Sequence, residues 1–132
     1  MVGLDTNVIV RYVMQDDERQ SAVANRIIDE ELTPANKGFV TTVVLCEVLW
    51  VLTRSYGRKR EGIADFLDAF LDSDTLEFEH SECVMQAYRD SKVASADFAD
   101  CLIGHVNRKH GTSTTLAFDR DASRLEYFRL AQ

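Results

Sequence analysis

The chain has 132 residues, 45% of them hydrophobic, with six Gly and one Pro, which is enough apolar material for one core and too little Pro and Gly for a linker or low-complexity tail. A single domain over residues 1–132 is therefore expected. Its 15 basic and 22 acidic residues leave a net charge of −7, which excludes a protein that grips nucleic acid by overall charge and requires any polyanion to be met by a local patch.

Cys46, Cys83 and Cys101 are odd in number, share no CxxC spacing and fall in apolar or helical stretches, as expected of reduced thiols in a cytosolic core. The three His show no ligand spacing either. No charged leader with a following apolar segment precedes Val2, and the longest near-apolar run, Phe39–Leu52, is broken by Thr41, Thr42 and Glu47. A cytoplasmic chain with no membrane span is expected.

Val2-Gly3-Leu4 reads as a short buried strand, and Thr6-Asn7 begins a helix that continues through Val8, Ile9, Val10 and Val13. Asp5 then stands at a strand's carboxyl end, where open α/β sheets bind ligands. It would serve equally as a helix cap, and this segment alone does not separate the two. A polar turn at Gln15-Asp16-Asp17 leads to an amphipathic helix over Glu18–Glu31, with Ala22, Val23, Ile27 and Ile28 inward, closed by Thr33–Gly38 with the only Pro. Phe39-Val40-Thr41 predicts a second strand, Thr42 a cap, and Val43–Tyr56 a helix stopped by Gly57. That helix is apolar nearly all round, which marks it as largely buried in the domain or at an interface, and Glu47 is the only charge between Val43 and Leu52. A lone buried carboxylate is driven toward its neutral form unless a cation or donors meet it. No Arg follows until Arg54, so Glu47 is read as functional.

Gly57-Arg58-Lys59-Arg60 is the densest basic cluster. It is read first as solvated surface, and second as the candidate for phosphate contact through Arg58, Lys59 and Arg60. A helix over Glu61–Asp72 follows, with Ile63, Phe66, Leu67, Phe70 and Leu71 on its inner face. Leu76–Glu79 alternates like a strand, and a helix from Ser81 to about Ser91 buries Val84, Met85 and Tyr88. Ser95 suits the N-cap of the next helix, placing Asp97 and Asp100 three apart on one face near its start, where the helix dipole favours negative charge. Asp97 fits the dipole role better, because Asp100 lies a turn further in against Cys101-Leu102-Ile103. The helix ends at His110-Gly111. Thr114–Phe118 is a short β-prone strand that ends in Asp119, as Leu4 ends in Asp5, and a brief helix over Ala122–Leu125 follows, for which Asp121 is a cap.

This order predicts an α/β fold: a central, parallel, twisted sheet of four to five short strands with helices on both faces. Asp5, Glu47, Asp100 and Asp119 lie at strand ends or near helix starts and are expected to face one crevice. Four carboxylates do not stay ionised together unaided. Mg²⁺ or Mn²⁺, hard cations that take oxygen ligands, would resolve the repulsion, whereas zinc would want Cys or His spacing that is missing. Such a site activates water and stabilises charge on a scissile phosphate.

The segments Leu4–Tyr12, Glu47–Leu52, Ala96–Ile103 and Ala117–Ala122 resemble, in order, the four acidic motifs of the PIN-domain ribonucleases, and the chain is similar in length and motif order to the VapC-type toxins of toxin–antitoxin systems. The resemblance implies a Mg²⁺- or Mn²⁺-dependent endoribonuclease that hydrolyses RNA phosphodiester bonds, a homodimer, and neutralisation by a VapB-type antitoxin. It implies Asp5, Glu47, Asp100 and Asp119 as the catalytic and metal-binding quartet, with Thr6, Asn7, Asp97, Thr115 and Asp121 in support. Similar proteins often carry Thr directly before the Phe-Asp of the last motif; here that residue is Ala117, and Thr115 is two positions earlier. An antitoxin helix is expected in an apolar groove around Trp50, Phe66 and Phe70. The rival of a different class is a non-catalytic PIN-like module that binds protein or RNA. A dehalogenase-like phosphatase would need Asp where Asn7 stands, and a receiver domain an acid where Thr6 stands.

Overall fold

Strands can be very short when helices cover them, and in this computed structural model the five strands among the described residues are two or three residues long. The structure describes residues 1–55, 57 and 60–132. The chain divides into two compact units, Met1–Glu79 and His80–Gln132.

The first unit runs β1 (Val2–Gly3), α1 (Thr6–Met14), α2 (Glu18–Asn25) with a π-helical turn (Arg26–Glu31), β2 (Gly38–Val40), α3 (Thr42–Arg54), α4 (Arg60–Leu71) and β3 (Leu76–Phe78). The strands lie in the order β1-β2-β3, both pairings parallel. Gly38 opens the central strand beneath two leucines: a Cβ there would stand 2.8 Å from Leu4 Cδ1 and 2.9 Å from Leu32 Cδ1. Ile9, Val10, Leu45, Val48 and Leu52 form the most deeply buried part, as expected of a core-facing helical stripe.

Four expectations change here. The buried face of α2 carries Ser21 and Ala24, whereas Ala22 and Val23 are exposed. Helix α2 lies close enough to α1 for Ser21 Oγ to donate to the Arg11 carbonyl at 3.0 Å, and such an approach selects small residues over apolar ones. The cap of α3 is Thr41, whose hydroxyl accepts from Val44 N; Thr42 instead donates its N–H and its hydroxyl to Glu79 Oε1. Helix α3 is also not buried all round. Val43 is 74% exposed and Trp50 61%, and Glu47 between them is exposed too, so these three form one outward stripe at i, i+4, i+7. Phe70, expected in a groove, is core: it stacks on Phe66 at 4.8 Å and meets Phe78 edge-on at 5.3 Å.

The second unit runs α5 (Ser81–Val93), α6 (Phe98–Lys109), β4 (Thr115–Ala117), a 3₁₀ turn (Ala122–Arg124) and β5 (Phe128–Leu130). Strands β4 and β5 pair in parallel. The α/β class and parallel pairing agree with expectation, but the hydrogen-bonded strands form a sheet of three and a sheet of two. Strand β5 was not anticipated. On α5, Cys83 and Ala87 join Val84 in the core, while Met85 is exposed. Gly111 takes φ +91° just beyond α6 and stops it as expected. Among the described residues no helix is long and apolar enough to cross a membrane.

Helix α6 meets its neighbours at Gly104, where a Cβ would lie 2.4 Å from the Tyr127 ring and 2.5 Å from that of Phe128. Gly104→Ala should therefore destabilise the protein by about 1–3 kcal/mol through overpacking, against the helical preference for Ala. Urea unfolding checks this, and an unchanged or higher midpoint would show that the rings give way freely.

Candidate active site

In the first unit, Asp5 follows β1 and occupies the N-cap position of α1 with extended backbone (φ −84°, ψ 158°), yet its carboxylate makes no capping bond. Capping thus does not explain this acid. Thr6, almost fully buried, donates its hydroxyl to Glu47 Oε1, which ties the first turn of α1 to the second turn of α3. Glu47 was expected to be buried; it lies instead on the exposed stripe of α3 with one oxygen engaged. Asn7 is exposed on the first turn of α1.

In the second unit, helix α6 begins at Phe98 with Asp97 as its N-cap residue, and Asp100 falls in the first turn. Ser95 does not cap; its hydroxyl donates to Asp121 Oδ1 at 3.1 Å. Asp121 also pairs with Arg124 at 3.5 Å, whereas the capping expected of it is done by Asp119, whose Oδ1 accepts from Ala122 N at 2.9 Å. Thr115 is engaged by Asn107 Nδ2 at 3.0 Å. Asp100 is half-buried, and its carboxyl is held above the usual range by burial first and then by the charges of Asp119 and Asp97. These three acids therefore share one electrostatic neighbourhood.

The sequence did not signal a second cluster in this unit. Asp90 Oδ2 accepts from the Tyr127 phenol at 2.6 Å and meets His105 Nε2 at 2.7 Å. Burial works to raise the Asp90 carboxyl, but these two hydrogen bonds and the charges of His105 and Arg89 leave it below the usual range. Tyr127 is pushed well above the ordinary phenol range by burial and by its bond to Asp90. Of the basic cluster, Arg58 and Lys59 lie outside the described residues, and Arg60 is placed only as the first residue of α4.

Asp5, Glu47, Asp100 and Asp119 form no ion pair among the described residues. Their oxygens suit a hard cation, and among the described residues no cationic side chain pairs with Asp97, Asp100 or Asp119. No group of three or more His, Cys, Asp or Glu side chains is arranged to hold a metal ion among the described residues.

A carboxyl whose pKa is higher folded than unfolded binds its proton more readily in the native state, so it costs stability as pH rises from the unfolded value, about 3.9, through the folded one. Asp100→Asn removes that cost. In metal-free buffer its melting temperature should exceed that of the unaltered protein at pH 7, with the gap closing as pH falls toward about 4. A lower melting temperature at pH 7 would refute the crowding of these acids.

A PIN domain family model matches residues 2–126. A VapC ribonuclease of Aquifex aeolicus is 23% identical over 124 residues, covering 94% of this chain and 91% of its own. A solved structure of the sarcin-ricin loop cleaving toxin VapC20 of Mycobacterium tuberculosis is also 23% identical, with 96% of each chain covered and a TM-score of 0.46. With the family model spanning nearly its whole length, the chain belongs to the PIN domain family.

Proposed function

We propose that residues 1–132 form one PIN-like nuclease domain, a divalent-metal-dependent endoribonuclease of VapC type that acts in the cytoplasm as the toxin of a toxin–antitoxin pair. The observation that carries this reading is a set of carboxylates with no ion pair among the described residues of a PIN-family chain, above all Asp100, raised by burial and then by the charges of Asp119 and Asp97. The match to a VapC ribonuclease across 94% of the chain supports it. RNA is the substrate, a VapB-type antitoxin the restraining partner, and a homodimer the working assembly.

Asp5, Glu47, Asp100 and Asp119 would hold Mg²⁺ or Mn²⁺. When bound, the cation supplies an activated water and stabilises charge on the scissile phosphate. The protein's own groups orient that set. Thr6 engages Glu47 Oε1 and Ala122 N engages Asp119 Oδ1, and among the described residues no side chain forms an ion pair with either acid. Burial around Asp100 strengthens its interaction with any cation, because screening by water is reduced. The non-catalytic alternative draws on the lack of a three-residue metal cluster among the described residues, and a cleavage assay separates the two.

With Mg²⁺ or Mn²⁺ present, the protein should cleave RNA, and chelation should stop it. Asp5→Asn and Asp100→Asn should each lose more than the roughly 10–100-fold typical of removing an outer-shell partner. Asp97→Asn should lose roughly tenfold at most, since Asp97 contributes charge from the exposed N-cap. Metal-independent cleavage, or full activity in Asp100→Asn, would refute the assignment. The Val43–Trp50 stripe is the face proposed for the antitoxin helix. Trp50→Ser should weaken antitoxin binding roughly thirtyfold, the effect of an aromatic hot spot of about 2 kcal/mol, while the free protein still cleaves RNA. Unchanged affinity would move the partner to another surface.

A further inference from the structure

Tyr127 touches both elements that carry the acids of the second unit. Its ring lies against α6 at Gly104, where not even a Cβ would fit. It sits 4.3 Å from the His105 ring, with the Arg108 guanidinium 5.7 Å from its centroid. Asp100 is one turn before Gly104 on the same helix, about 6 Å along the axis, so any slide or rotation of α6 against this ring appears at Asp100. The Tyr127 carbonyl meanwhile accepts Thr115 N at 3.0 Å, at the start of β4, and Ala117 at the other end of β4 is held by Ala131 N at 2.8 Å. Asp119 follows two residues later. The phenol is fixed in turn by Asp90 Oδ2, the same oxygen that meets His105. One carboxylate oxygen thereby ties α5, α6 and the segment leading into β5. A ring that only filled the core would be served equally by Phe, with no buried hydroxyl to satisfy.

We propose that Tyr127, locked by Asp90 and His105, is a positioning residue that sets the separation of the Asp100 and Asp119 carboxylates and, through it, the protein's hold on a divalent cation. This rests on the nuclease reading above. Groups behind metal ligands act in this way by fixing ligand orientation.

Tyr127→Phe in the full chain keeps the ring and removes the lock. The measurements are Mn²⁺ affinity of the RNA-free protein by calorimetric titration, and kcat and KM for RNA cleavage, at a temperature where circular dichroism shows the variant folded. The Mn²⁺ Kd should rise and kcat should fall, each about 10–100-fold, with KM for RNA held within about twofold. Asp90→Asn breaks the same lock from the other side and should match it, and the double variant should lose no more than either single one. If Tyr127→Phe does not fold, Asp90→Asn decides. Folded variants that bind Mn²⁺ like the unaltered protein overturn the inference while the nuclease reading stands. Failure of both variants to fold assigns the lock to stability and overturns it as well. If the unaltered protein neither binds Mn²⁺ nor cleaves RNA, the nuclease reading falls, and this inference falls with it.

Discussion

Strands of two or three residues are the constraint under which this fold works. Each ladder hydrogen bond contributes only about 0.5–1.5 kcal/mol net, so a pair such as β1 and β2, in register over two residues, is held mainly by what packs on it. Leucines pressed over Gly38 and aromatic rings pressed against Gly104 do that work. Asp5 and Asp119 stand two residues beyond their strands and inherit their positions from the packing. In this protein the core is therefore what aims the acids.

Features set by local chemistry were legible in the sequence. The helical periods, the Gly111 stop, strands β2 and β3, and the acids that follow β1 and β4 all depend on residues a few positions apart. Features set by the neighbour were not. An apolar helix does not say which third of it faces outward, so Glu47 was expected inside and stands outside with Val43 and Trp50. Hydrophobicity ranks Val23 above Ser21 and Ala24, whereas a close helix crossing reverses that order.

The caps show the same limit on a smaller scale. Asp5 and Asp119 each follow a strand and precede a helical turn, yet only Asp119 uses its carboxylate to cap. Which one does so depends on side-chain geometry that spacing does not encode. Strand β5 left a faint trace, with Phe128 buried and Arg129 exposed, too short to stand out. Asp90, His105 and Tyr127 are 15 and 22 positions apart, and nothing in the sequence announces their meeting.

Asp90 and Asp100 show why the environment, and not the residue type, separates the two kinds of buried acid. Both are half-buried aspartates in the same unit, and in both burial works to raise the carboxyl. Asp90 ends low because a phenol and an imidazole donate to one of its oxygens. Asp100 ends high because burial raises it and its charged neighbours, Asp119 and Asp97, add to that rise. The first arrangement is satisfied within the chain and so resists change, which suits a lock. The second has no ion pair among the described residues, and keeping repelling charges together costs the folded chain stability, a concession that proteins make at functional sites.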